Sequence, residues 1–141
     1  MNYDLVVVGG GAGGLGAARA VARKRARVAL VQEGPVGGEC TFTGCVPSKA
    51  LIEAAAQGAG FQEAMGSLRR AVEAIAATET PEVLAREGIE VVTGRARFAC
   101  PTRLEMGART LAARRFVVAT GARPAIPPIP GLGEVDYLTN E

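Results

Sequence analysis

The segment DLVVVGGGAGGLGAARA, residues 4–20, constrains the fold more than any other. Its apolar run from Asp4 to Gly10 ends in glycines, as a strand buried on both faces of a sheet does. Gly9, Gly11 and Gly14 then stand in the spacing G-x-G-x-x-G, with Ala18 four places on, and a stretch of helical composition follows. A second apolar run, RVALV (27–31), closes a βαβ unit of ordinary length. In that context each glycine has a use. One makes the tight turn, one lets the backbone approach a pyrophosphate, and one allows helix to pack closely on strand. The helix N-terminus then offers free N–H groups and a partial positive charge to the phosphates. The reading is a dinucleotide cradle; the alternative is a glycine turn that only joins strand to helix. The run of arginines over 19–27 reads as a solvated helix face.

A dinucleotide cradle calls for an acid at the end of the second strand to hold the adenosine ribose. Here the strand ends Val31-Gln32-Glu33. Side chains alternate along a strand, so the two polar residues cannot both face the ribose. Glu33 has the better chemistry and Gln32 the better register, and both remain candidates.

The next stretch, GGECTFTGCVPSKAL (37–51), holds Cys40 and Cys45, two of the three cysteines of the chain. In one continuous helix their Cα atoms would stand roughly 8.6 Å apart, beyond the ~7 Å reach of a disulfide. Gly44 and Pro47 mark a helix start, which predicts Cys40 in an irregular turn ahead of a helix that begins near Cys45. A thiol at that end of a helix is pushed toward thiolate, and Lys49 adds a cation four residues on. Three uses compete. A zinc site needs about four ligands, and the chain offers only Cys100 besides this pair and no histidine. Two unrelated buried cysteines are the plain reading, and a reversible redox disulfide is the third. Cys100, before Pro101, reads as structural.

The remaining pattern predicts a helix over PSKALIEAAA, helical segments over 61–87 broken near Thr80-Pro81, and short β pieces from Ile89. Those pieces, IEVVTG, RARFAC, RLEM and TLAA, predict a small antiparallel meander. RRFVVATG (114–121) predicts another buried strand, and ARPAIPPIPG a proline-stiffened exit. The fold class expected is thus α/β, a Rossmann-like parallel sheet with a small antiparallel β-meander.

A net charge of +2 creates no strong field for nucleic acid or anionic membrane, and 4% aromatics without tryptophan disfavour a base-stacking surface. No run reaches the ~18 apolar residues of a membrane span. The start MNYDLVVV is acidic where a signal peptide is basic, which predicts a cytoplasmic protein. In a reducing compartment a close cysteine pair is more often catalytic or metal-binding than structural.

In order and spacing, GGGAGGLGAARA, GGECTFTGCVPSKAL and VVATGARPAIPPIPG resemble the FAD-binding domain of the class I pyridine nucleotide–disulfide oxidoreductases. That group includes dihydrolipoamide dehydrogenase, mercuric reductase and glutathione reductase. The resemblance covers essentially the whole chain. It implies FAD as cofactor, its pyrophosphate on Gly9, Gly11 and Gly14, with Gly38 and Glu39 along its path. It implies Ala96 near the adenine, and Thr120 and Gly121 close to the cofactor. Cys45 would be the flavin-side thiol of a Cys40–Cys45 redox disulfide, Cys40 the interchange thiol, and Lys49 a neighbour of the flavin N5. NADH or NADPH would be the co-substrate, and a small-molecule disulfide, a dithiol or Hg(II) the substrate. The family's ribose-binding glutamate falls on Gln32, with Glu33 one place late, and TFTG stands where VNVG is commoner. Members are about three times this length, so residues 1–141 are expected to be an N-terminal, truncated part of a homodimer. The nicotinamide and dimerisation domains and the catalytic histidine would lie outside it. Two other functions stay open: a nucleotide-binding module without turnover of its own, and a free-standing thiol redox sensor.

Overall fold

The computed structural model describes residues 2–140. The first strand, β1 (Tyr3–Val8), pairs in parallel with β2 (Val28–Gln32) on one side and β6 (Arg109–Val118) on the other. β3 (Ile89–Thr93) extends the parallel part beyond β2. β4 (Arg97–Cys100) and β5 (Arg103–Met106) extend the opposite edge antiparallel, giving the order β3-β2-β1-β6-β5-β4.

The apolar run of β1 is explained by cover on both faces. Leu5 and Val7 point to one side, where Leu15, Ala18 and Ala22 of helix α1 (Ala12–Ala22) join Val28 and Leu30. Leu84 of α5 (Pro81–Arg86) and Ile89 complete that cluster. Val6 points to the other side, packing with Ala29, Val31, Val92, Leu104, Leu111 and Ala113. Each fully buried Leu or Val of these clusters contributes about 1.5–3 kcal/mol through water removed from its surface.

After β2 come a single-turn helix α2 (Gly38–Phe42), then α3 (Cys45–Ala56), then α4 (Phe61–Ala76), which packs on α3. The break near Thr80-Pro81 is a helix start. Thr80 Oγ1 accepts a hydrogen bond from the Val83 N–H, and Pro81 occupies the first turn, where no N–H is needed. Arg19 is not simply solvated; it pairs with Glu87 at 2.7 Å and donates to the Thr78 carbonyl, fastening α1 to α5.

Three sequence expectations change. IEVVTG is not part of the meander but the third parallel strand, since its buried Ile89 and Val92 serve opposite faces of the main sheet. TLAA and RRFVV form one ten-residue strand, β6. No turn residue separates Ala112 from Ala113, so the strand runs on, antiparallel to β5 up to Ala112 and parallel to β1 from Ala113. Cys40 lies in the short helix α2, not in an irregular turn; the chain breaks later, at Thr43-Gly44. The proline-rich exit, residues 119–130, has no regular structure, and a 3-10 turn follows at Leu132–Glu134.

Candidate functional site

The C-terminal ends of β1, β2 and β6 meet at Gly9. Its N–H donates to the Val31 carbonyl at 2.8 Å, while the Val8 carbonyl accepts from Ala119 N–H at 2.8 Å. Gly9 has φ +106°, and a Cβ there would stand 2.1 Å from the Ala119 oxygen. A Cβ on Gly14 would stand 1.8 Å from the Gly9 oxygen. Gly14 therefore serves the cradle from behind, by letting α1 seat against β1. Gly11 differs: a Cβ on it would meet only the Gly38 Cα, at 4.0 Å. Nothing in the chain requires glycine there, and Gly11 lines the groove, where a bare backbone leaves room for close approach. Gly11 is also the N-cap of α1, with no capping side chain and no acid in the first turn. The donors of that turn stay available to an anion.

Two cavities adjoin at this place. One, of about 360 Å³, is lined by Gly9 to Gly11, Gly38, Glu39, Phe42, Thr43 and residues 119–122. The other, of about 340 Å³, is lined by Glu33, Gly94, Arg95, Ala96 and Val8. Gly9, Gln32 and Thr120 belong to both walls, so the two form one groove across the strand ends. The groove collects Gly9, Gly11, Gln32, Glu33, Gly38, Glu39, Ala96, Thr120 and Gly121 from five separate parts of the sequence. A separate cavity of about 490 Å³ opens at the opposite end of the sheet, among Asn2, Tyr3, Arg27 and Glu90, away from the glycines.

Both ribose candidates line the cavity that holds Ala96. The Gln32 Oε1 accepts from the Gly10 N–H at 2.7 Å, and its Nε2 donates to the Pro35 carbonyl at 3.2 Å. One donor and one acceptor position of its amide are thus used inside the protein. Glu33 is exposed and lines the cavity that holds Ala96.

Glu39 and the Phe42-Thr43 pair, neighbours in sequence of the two cysteines, form part of the groove wall; Cys40, Cys45 and Lys49 do not line it. Cys45 is the first residue of α3 and exposed, and Cys40 is half-buried in α2. Both are free thiols, and they act on each other. The Cys40 thiol is pushed above the ordinary value, first by hydrogen bonding to the Cys45 side chain, then by burial and by charge on Cys45. The Cys45 backbone and the Lys49 cation pull it partly back.

Several participants carry no signal in the sequence. Thr41 is 2% exposed and donates to Glu79 Oε2 at 2.9 Å. A Cβ on Gly37, φ +126°, would stand 2.6 Å from that same carboxylate oxygen, so Glu79 underpins the turn into α2 from 38 residues beyond Thr41. Asn140 Nδ2 donates to Glu39 Oε1 at 2.7 Å, bringing residue 140 to the groove wall. Gly10 and Pro35, passed over in the spacing, hold Gln32. Cys100 lies apart in β4, its thiol shifted down chiefly by the Thr102 hydroxyl, 3.5 Å away.

A glycine cradle at the strand ends, continuous with a Cys-x4-Cys helix start, can be compared with known proteins. The family model of the pyridine nucleotide-disulphide oxidoreductases matches residues 3–141. The chain belongs to that family. It is 36% identical over 146 residues to a glutathione reductase of Burkholderia cepacia, spanning 92% of this chain and 32% of the relative. A mercuric reductase of Streptomyces lividans is 35% identical over 162 residues, spanning 99% of this chain and 34% of the relative. Among solved structures, the HOCl-induced flavoprotein disulfide reductase RclA from Escherichia coli superposes with a TM-score of 0.81 at 28% identity. The match covers 93% of this chain and 31% of that one. This member of the disulphide oxidoreductase family thus spans about a third of the length of the curated relatives it matches. Among the described residues no helix is long and apolar enough to cross a membrane.

Proposed function

We propose that residues 1–141 are the N-terminal, FAD-binding part of an NAD(P)H-linked disulfide oxidoreductase that works through a Cys40–Cys45 redox disulfide. The observation that carries this reading is the continuity of the groove. Its floor is the glycine turn, and its far wall, Glu39 and Phe42-Thr43, is built from residues adjoining both cysteines. The fit to FAD rests on Gly11, which lines the groove with no neighbour nearer than 4.0 Å to a Cβ, and on the uncapped start of α1. In this reading Gly9, Gly11 and Gly14 form the pyrophosphate cradle and Gly38 and Glu39 continue the path. Thr120 and Gly121 border the groove, Ala96 faces the adenine end, and Lys49 stands near the thiols.

FAD, when bound, supplies the two-electron carrier between a reduced nicotinamide and the thiol pair. The chain's own part is thiol–disulfide exchange. The Cys40 thiolate attacks one sulfur of an external disulfide, and the first product thiol leaves with a proton. The Cys45 thiolate then attacks the Cys40 sulfur, releasing the second thiol and leaving Cys40–Cys45 oxidised. Cys40 keeps its proton more tightly than an ordinary thiol, so its attack needs a base. The chain has no histidine, and a base would come from elsewhere in a longer, homodimeric protein. The substrate class is a small-molecule disulfide or dithiol, or Hg(II), and the setting is the reducing cytoplasm.

That same lack of a base supports a second reading, in which these 141 residues bind FAD or its ADP half and turn nothing over alone. Titration with FAD, followed by mapping of the oxidised thiols, tests the proposal. It predicts bound flavin and a Cys40–Cys45 disulfide with Cys100 still free. Failure to bind flavin, or a bridge involving Cys100, would contradict it.

A further inference from the structure

The cradle carries an amide where its chemistry calls for a carboxylate, and Gln32 is engaged at both ends. Gly10 N–H can only donate and the Pro35 carbonyl only accept, so Oε1 faces Gly10 and Nε2 faces Pro35, at 2.7 and 3.2 Å. A glutamate in the same place could keep the first bond but would set a carboxylate oxygen against the Pro35 carbonyl. The amide therefore ties the β1–α1 turn to the 33–36 loop. The Gly37 N–H, donating to the Gly10 carbonyl at 2.8 Å, tightens the same junction. One residue on, Glu33 lines the cavity that also holds Ala96 and Arg95. Among the described residues its carboxylate has no hydrogen-bond or ion-pair partner. A carboxylate free on the wall of a nucleotide groove accepts charge-assisted hydrogen bonds from vicinal ribose hydroxyls.

We infer that Gln32 is a positioning residue bracing the glycine turn, and that Glu33 takes the adenosine ribose in its place. The inference rests on the FAD reading of the groove. Arg95 lines the same cavity as Glu33.

Three variants of the 141-residue chain test this, read by amide hydrogen exchange and by FAD and ADP titration. Gln32→Met is expected to speed exchange at the Gly10 and Gly37 amides. Gln32→Glu is expected to bind FAD no more tightly than the natural chain. Glu33→Gln is expected to leave both amides protected while weakening FAD and ADP about tenfold, the loss of one charge-assisted hydrogen bond. Unchanged exchange in Gln32→Met would overturn the brace. Tighter FAD binding by Gln32→Glu, with Glu33→Gln neutral, would return the ribose to position 32. If neither FAD nor ADP binds the natural chain, the cofactor reading itself fails and the Glu33 assignment with it. The exchange data then still decide the role of Gln32.

Discussion

Gln32 Oε1 lies 2.7 Å from the Gly10 nitrogen, so the second strand holds the glycine turn through a side chain as well as through the sheet. The contact joins two residues of the groove wall, at the end of β2 and in the turn before α1. It also shows how a cradle can keep its shape with a neutral residue at the strand end.

The glycines of that turn separate by what they touch. Gly14→Ala drives a methyl into the Gly9 carbonyl, 1.8 Å away, a backbone group that cannot swing aside, with Val7 Cγ1 also 3.3 Å off. It is expected to lower unfolding free energy by at least about 1–3 kcal/mol. Gly11→Ala meets nothing nearer than 4.0 Å, so it should unfold like the natural chain in denaturant yet lose FAD binding. Equal loss of stability in both variants would contradict the division.

How much of this was legible in the sequence follows from the range of each interaction. The strand–turn–helix at Gly9 to Gly14 rests on local glycine geometry, and the buried strands on unbroken apolar runs, so both were readable. The place of IEVVTG in the sheet depends on which strand it meets, 61 residues earlier in the chain. The bonds of Gln32, the support of Gly37 by Glu79 and the approach of Asn140 to Glu39 all link distant residues. No periodicity reports them.

The two thiols should label unequally. Cys45 is exposed at the head of α3, whereas Cys40 is half-buried and held protonated first of all by Cys45. Iodoacetamide at neutral pH is expected to modify Cys45 well before Cys40, as peptide mass mapping would show. In Cys45→Ala the largest cause of the Cys40 shift is gone, so Cys40 should react faster than in the natural chain. Unchanged Cys40 reactivity in that variant would mean burial, not its partner, governs the thiol.

The core makes a simpler demand. Leu30 and Leu84 are fully buried in the cluster between α1, α5 and the sheet. Either one changed to Ala should cost about 2–5 kcal/mol in a denaturant titration. Ile52, 69% exposed on α3, should change little when cut to Ala.

At the other end of the sheet, Glu90 accepts from Tyr3 OH at 2.7 Å and pairs with Arg109. Its carboxyl is lowered from the usual 4.5, first by the Tyr3 hydrogen bond and then by Arg109. A carboxylate lowered by folding adds stability above its unfolded value, and that stability fades as pH falls through the folded value. Tyr3 is raised from 10.0, first by burial, so its contribution holds below that pH and is lost above it. The natural chain should therefore lose stability on both flanks, and Glu90→Gln should flatten the acid flank in thermal melts at stepped pH. Both side chains of the Glu90–Arg109 pair are about half exposed, 47% and 51%, so salt should shrink the effect.

The most direct test of a groove leading from glycine cradle to thiol pair is the visible spectrum of the FAD-loaded, thiol-reduced chain. The account predicts a long-wavelength thiolate-to-flavin absorbance that survives Cys40→Ser and vanishes in Cys45→Ser. A band of full strength in Cys45→Ser would contradict it.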